Sequence, residues 1–555
     1  MAQRADRNEP GRLRPRGTLD RAVAIALLGA CLPAPAAALT FTVNTTADTG
    51  AGSLRQAILD ANLQQSTQCL QQRIVFAIPG AGPHTIRPLS PLPTVLVPTE
   101  IDGYSQPGAS PNSQFNGSNA VLRIDLDGSA AGTTGAITLG VGGVGICGGG
   151  GSVLRGLAIN RFAGPAITIG QAGCPAVPCA VGGVTIQGNF IGTDTSGSLA
   201  LGNGNAAAPA ILVGTRSVNN VIGEQALGAG GGTTPNPALR NVISGNAGDA
   251  IGFAPSVVDF PSALNSVRGN YIGLSATGTA LLPNGGDGIA ARDFTSDLSV
   301  SDNLVSGNAG DGSDATGPGI RAVLVRNGIG VGVGGIAAGN GGDGVRVVGG
   351  ATVSVSGNYP GLFPPQPSIA NNAGAGAYVE GASFLDVINA PLAANAGLGI
   401  DLAPRGINAN DPLDADVGPN HGLNVPLLDA VETDVAAATT RFSGRLQTEP
   451  NATIEINLYA SPACDPAGAG EGLRRLTNNA GGVLLPQLTT NAAGEASFDF
   501  TTTIAQAQPL AVGQAITAVA RRFAPGQVSR IEVSEFSDCA IVRAAGVLFA
   551  DGFEP

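Results

Sequence analysis

From about Arg73 to Pro404 the chain is a succession of short apolar runs, each broken after a few residues by Gly or Asn. A motif of the form Asn-small-Gly-x-Gly/Ala starts at Asn246, Asn284, Asn308, Asn340, Asn372 and Asn395, at intervals of 38, 24, 32, 32 and 23 residues. In several copies an apolar residue follows five positions later, as with Ile251, Ile289, Val345 and Ile400. Units of this size cannot each bury an apolar face, so they must stack. The intervals of 23 and 24 predict a bare coil, and the longer ones a coil carrying a loop insertion. Short strands with no helical segment between them predict an all-β fold, a parallel β-helix spanning 73–407, rather than a leucine-rich or ankyrin array. Asn and Gly accept left-handed backbone angles at low cost, and a turn repeated in every coil needs one at the same place. Stacked Asn side chains can also bond along the stack. A second, longer repeat agrees: Gly188-Asn189-Phe190-Ile191-Gly192 returns as Gly269-Asn270-Tyr271-Ile272-Gly273. On the order of twelve coils are expected at ~4.8 Å per coil.

The flanks have other periods. In 39–72, Phe41 and Val43 alternate with polar residues as a strand, and Ser53-Leu54-Arg55-Gln56 reads as a capping box that opens a helix. Leu54, Ile58, Leu59 and Leu63 fall on or near one face of that helix, which is placed to cover the first coil of the solenoid. After an acidic linker at 408–422, Ile454, Ile456 and Leu458, then Phe498 and Phe500, alternate with polar residues. This period of two predicts an immunoglobulin-like β-sandwich of half-buried strands over 423–543. Residues 544–555 read as a tail.

Composition adds export and charge. Residues 1–38 carry six Arg, the apolar run Ala22 to Leu28 and small residues ending at Ala36-Ala37-Ala38. That is the pattern of a signal peptide cleaved after Ala38, with lipidation at Cys31 as the alternative. The run is too short to span a bilayer, and no later stretch is long enough. The formal charge is −12; loss of those six Arg with Asp6, Glu9 and Asp20 takes it to −15, a surface that repels nucleic acid and anionic lipid. All 28 basic residues are Arg, so Schiff-base, P-loop and general-base lysines are excluded. Beyond Cys31 six Cys remain, an even number that suits disulfides in an exported chain. The pairs expected are Cys174 with Cys179 across a short turn, Cys464 with Cys539 in the sandwich, and Cys69 with Cys147 by elimination. With only His84 and His421 and an unsuitable Cys spacing, zinc is not expected.

The row Thr40-Phe41-Thr42-Val43-Asn44-Thr45-Thr46-Ala47-Asp48, followed by Gly52-Ser53-Leu54-Arg55-Gln56-Ala57-Ile58, resembles the start of bacterial secreted proteins with a CSLREA domain. The family's leading Cys is Gly52 here and its Glu is Gln56. Ile101 to Ala109, the Asn-Val-Ile-Ser-Gly-Asn run at 241–246, and segments at 416–420, 464–466 and 534–537 are similar to further parts of these proteins. The resemblance implies a right-handed parallel β-helix with a C-terminal β-sandwich, and no established reaction.

Candidate chemistry is sparse. Asp249, Asp287, Asp311 and Asp343 each follow a repeat Asn by three positions. Stacked carboxylates could bind Ca²⁺ or do acid–base work on a glycan. A residue that recurs in copy after copy serves the fold more readily than one reaction, so each Asp is expected to bond its own turn. Asp411, Asp414 and Asp416, beside Asn410, are the candidate Ca²⁺ ligands, with a solvated acidic linker as the alternative. Many β-helices cleave polysaccharides, and Arg155, Arg161, Arg268, Arg292 or Arg321 could act as a base, but nothing selects one. No compact Asp pair, His-containing motif or Gly-x-Ser-x-Gly elbow occurs, and the chain has no Trp and five Tyr for stacking on sugars. The reading is an exported extracellular or cell-surface scaffold or adhesin without a recognisable catalytic site. Its partner would be an extracellular polysaccharide or surface component, with no cofactor beyond Ca²⁺. A polysaccharide lyase or glycoside hydrolase working in a groove on the helix flank is the alternative.

Overall fold

Three parallel sheets of eleven, ten and nine strands wind around one apolar core in the computed structural model. It describes residues 38–64, 69–141, 148–171, 181–225, 234–357, 368–415, 417–466, 470–478, 484–504, 510–523 and 531–546. Residues 1–37, which hold all but the last residue of the segment expected to be an export signal, together with Cys147, Cys174, Cys179, Asp416 and most of the tail, lie outside the described residues.

Each complete coil contributes one strand to each sheet. A representative coil runs through Ser266–Arg268 in the first sheet, Tyr271–Ile272 in the second and Ile289–Arg292 in the third, then returns to the first at Leu298–Ser301. Strands of two to five residues suffice because every coil stacks in register on the last. Val267, Val300, Leu324, Val355 and Val387 form one inward row. The fold is therefore the parallel β-helix expected, with eleven coils at its first sheet.

The corners carry the stacked amides. Asn203, Asn246, Asn284, Asn308, Asn340, Asn372 and Asn395 form a buried ladder between the second and third sheets, in which each Oδ1 accepts from the preceding rung at 2.8–3.2 Å. A second ladder, Asn189, Asn241, Asn270, Asn303 and Asn327, turns the chain from the first sheet to the second. Gly188, Gly269, Asp302 and Arg326, each just before its Asn, hold a left-handed angle, whereas Arg240 before Asn241 is extended. Inside the solenoid the polar corner is thus satisfied by copies of itself.

At the N-terminal end the helix Leu54–Asn62 buries Leu54, Ala57, Ile58 and Ala61 against the first coil. Ser53 accepts from the Gln56 amide, but Gln56 turns to Asp60 at 2.8 Å, so the capping box is half formed. Leu59 and Leu63 are 43 % and 78 % exposed, off the buried face.

Beyond Leu402 two sheets form the sandwich. One holds Leu427–Asp434, Thr439–Gln447 and Glu495–Thr502; the other holds Thr453–Ser461 and Ala515–Phe523. Phe442, Ile454, Ile456, Phe498 and Ile516 fill the space between them. Thr453–Ser461 departs from the half-buried expectation, since Glu455, Asn457 and Tyr459 on its other face are buried as well. That face abuts the last coil, where Arg521 bonds both Asp386 of the solenoid and Glu455 at 2.7–3.2 Å. Cys464 and Cys539 are disulfide-bonded, with Cα atoms 5.8 Å apart. Cys69 is also in a disulfide.

Candidate functional site

A cluster of ionisable side chains lies on the outer flank of the third sheet in its C-terminal half. In-register strands aim alternate residues outward, which aligns Ala290, Asp314, Arg346, Tyr378 and Asp401 in one row. Beside it runs the column Asp249, Asp287, Asp311 and Asp343. Each Oδ1 accepts the backbone N–H one coil on, from Asp287 at 2.8 Å, Asp311 at 2.8 Å, Asp343 at 2.6 Å and Ala375 at 2.8 Å. The expected bond to the residue's own turn is replaced by a bond to the next turn, because stacked turns aim each amide along the solenoid axis at the coil before.

Arginines occupy the outer oxygens. Arg292 contacts Asp314 at 2.6 Å and Asp287 at 3.6 Å, and Arg346 reaches Asp314 at 3.2 Å. Arg405, beyond the last third-sheet strand, grips Asp343, lies 3.7 Å from Asp401 and stacks 3.7 Å over Tyr378. Burial, with neighbouring carboxylates, pushes Asp287 up to about 6 and Asp311 up to about 7. These two groups titrate near neutrality. They nevertheless stand one above the other on a single face, whereas glycoside cleavage needs two carboxyls on opposite sides of a sugar.

The other arginines named from sequence are also paired. Arg155 meets Asp102, Arg161 meets Asp127, Arg321 meets Asp297, and the fully buried Arg268 meets Asp302. His421 Nδ1 lies 2.9 Å from Glu532, and His84 Nε2 is buried without a hydrogen-bond partner among the described residues.

Asp411 and Asp414 diverge. Asp414 turns inward, accepts from the Asn424 amide at 2.8 Å and the Thr448 hydroxyl, and lies 3.2 Å from the buried Arg522. Burial raises it to about 6. Asp411 accepts the Ala415 amide through Oδ2, while its Oδ1 is buried without a hydrogen-bond partner among the described residues. Asp411 lines a cleft of about 540 Å³ with Asn410, Arg445, Gln447, Asn491 and Glu495. Among the described residues no group of three or more His, Cys, Asp or Glu is arranged to hold a metal ion. The structure thus brings Asp287, Asp311, Asp314 and Asp343 together, while Asp414 is committed to Asn424, Thr448 and Arg522.

Arg346, Tyr378, Asp401 and Arg405 are absent from the sequence-derived candidates. Asp314, Arg346, Tyr378 and Asp401 each follow a repeat Asn by six positions, a signal that was present in the spacing. Arg405 carries no such signal, since its partner lies in a different coil.

No family model matches the chain, and no curated protein does. Among solved structures it is similar to the tailspike protein of Acinetobacter baumannii phage AM24, with 9 % identity over 88 % of this chain and 69 % of that one and a TM-score of 0.24. It is also similar to the enzymatically active domain of bacteriophage CBA120 tailspike protein 4, with 9 % identity over 89 % of this chain and 66 % of that one and a TM-score of 0.18. Scores this low carry no argument about this chain, and the β-helix assignment rests on its own strand pairing. No helix among the described residues is long and apolar enough to cross a membrane.

Proposed function

We propose that this chain is an exported, non-catalytic display scaffold of the cell surface or its surroundings, of adhesin type, whose stacked coils present loops and a lateral face to an extracellular polysaccharide or surface component. The CSLREA resemblance and the signal-like start belong to this reading. The observation that carries it is the commitment of the flank's ionisable groups to the solenoid itself. Every Asp of the column accepts the amide of the next coil, and Arg292, Arg346 and Arg405 are each bound to an Asp. A catalyst needs at least one such group free to change partners in the reaction.

The enzymatic alternative, a polysaccharide lyase or glycoside hydrolase, draws on one feature, the near-neutral titration of Asp311. Purified residues 39–555 should be screened against neutral and acidic polysaccharides, with and without Ca²⁺, for binding, for new reducing ends and for unsaturated lyase products. Binding without turnover supports the scaffold. Turnover abolished by Asp311→Asn would replace it with the enzyme. Ca²⁺ at the 408–422 linker, with Asp411, Asp414 and Asp416 as ligands, predicts a rise in melting temperature on Ca²⁺ addition that Asp411→Asn removes.

A further inference from the structure

A stack of parallel coils ends on three open strand edges and one unfinished Asn ladder, all of which template a further coil. In this chain each is met by a specific group from the segment after the solenoid.

The Asn ladder ends at Asn395, whose N–H and Nδ2 have no further Asn to receive them. Both donate instead to Oε1 of Glu471 at 3.0 Å, within the range of the ladder's internal steps. The other oxygen of Glu471 takes the Ala394 amide. One residue on, Gly472 and Leu392 exchange backbone bonds of 2.8 and 3.0 Å, closing the second sheet with an antiparallel bridge. In the first sheet, Asn420 uses its side chain as a surrogate strand: Oδ1 accepts from Leu385 N at 2.7 Å, and Nδ2 donates to Leu385 O at 2.9 Å. In the third sheet Glu535 accepts from Leu402 N at 2.9 Å and holds Asn408 at 2.8 Å. Asn420, Glu471 and Glu535 are 0 %, 6 % and 2 % exposed, so none serves its edge by way of solvent. Tyr459, Val519, Val533 and Phe536 of the sandwich complete the solenoid's apolar core at the same end.

We infer that the sandwich is the solenoid's terminator. Asn420, Glu471 and Glu535 supply the hydrogen-bonding groups that a further coil would have supplied, and so prevent a second copy of the chain from docking there. The role differs from attachment, and it leaves the opposite sheet, Leu427–Asp434 with Thr439–Gln447 and Glu495–Thr502, as the sandwich face free for contact with other molecules.

The test uses the full chain with Glu471→Ala, Glu471→Gln and Asn420→Ala, and an Asn308→Ala control in the middle of the ladder. Amide hydrogen exchange and sedimentation are read together. Glu471→Ala should speed exchange at Ala394 and Asn395 by about tenfold or more, the effect of leaving buried donors unmet. Amides at Asn284 and Asn308 should keep wild-type protection. Sedimentation of this variant should show a concentration-dependent larger species absent from wild type and from Asn308→Ala. Glu471→Gln, which keeps an acceptor oxygen, should retain most of the protection, and Asn420→Ala should expose Leu385 instead. Unchanged exchange at the last coil in both alanine variants, or a larger species equally abundant in the control, overturns the terminator role. If Glu471→Ala does not fold, Glu471→Gln and Asn420→Ala decide by the same two readouts.

Discussion

Arg405 reaches back to Asp343 across 62 positions of sequence, placing Nη2 2.6 Å from Oδ2 and Nη1 3.0 Å from Oδ1. The contact closes the C-terminal end of the aspartate column, as Glu471 closes the asparagine ladder. Arg405 is half exposed and Asp343 is buried, so removing the arginine leaves a buried carboxylate with less compensation. Arg405→Ala should destabilise the chain by about 1–2 kcal/mol in urea melts, discounted for solvent at the guanidinium. Arg405→Lys should fall between, because an ammonium keeps the charge but not the two-pronged geometry. An unshifted melt for Arg405→Ala would mean that the contact is energetically idle.

The raised carboxylates of the column predict an unusual pH profile. Asp287 titrates at about 6 and Asp311 at about 7 when folded, against an ordinary value of 3.8. The folded chain therefore holds protons across this window that the unfolded chain has lost. Their contribution is full below the ordinary value and is lost as pH rises through the folded values. Urea midpoints should be higher near pH 5.5 than near pH 8, and Asp311→Asn should shrink that difference while keeping an acceptor for the Asp343 amide. A difference of equal size in Asp311→Asn would locate the effect elsewhere.

Interior rungs of the ladder should be costly to remove. Asn308 accepts from Asn284 Nδ2 at 2.8 Å and donates twice to Asn340 Oδ1 at 3.0 Å. Asn308→Ala strands buried donors and acceptors on both neighbours, and a loss of about 2–4 kcal/mol is expected in thermal or urea melts. A loss below about 0.5 kcal/mol would show the ladder to be incidental.

Gly192, Gly273 and Gly330 share one place in the repeat, each with a left-handed backbone angle. At Gly273 a Cβ would stand 2.1 Å from the Ser306 carbonyl oxygen, which is fixed backbone of the next coil. Gly273→Ala should cost more than about 3 kcal/mol or abolish soluble expression, combining backbone strain with an unrelievable clash. Wild-type yield and melting temperature in that variant would show that the coils can separate locally.

Reduction tests the sandwich separately. Cys464 and Cys539 join segments 75 residues apart, and a cross-link of that span contributes about 2–4 kcal/mol by restricting the unfolded chain. A Cys464→Ser and Cys539→Ser double variant should melt lower than wild type, with the gap closing when wild type is measured under reductant.

Much of this was legible in the order of residues. The recurrence of Asn at intervals of 23 to 38 identified the rungs of one ladder, because a coil that repeats must place the same side chain at the same corner. The first-corner ladder was partly legible in the paired Gly-Asn-aromatic-Ile-Gly segments, but Asn303 and Asn327 follow Asp302 and Arg326 in place of Gly, which broke the pattern. Thr453–Ser461 was misread as half-buried for a different reason. Its alternation records the sandwich core alone, and its second face is buried by a solenoid surface that no local period can announce.

Local periodicity by itself determined the class of fold, the stacking and the corner residues, since each depends on interactions between equivalent positions of neighbouring coils. Only the tertiary structure decided the ends. Glu471, Glu535, Asn420 and Arg405 each occur once, outside the repeat, and act on partners between 35 and 133 positions away. A terminating group is by definition the one that does not recur, so repetition could specify what continues the solenoid but not what stops it.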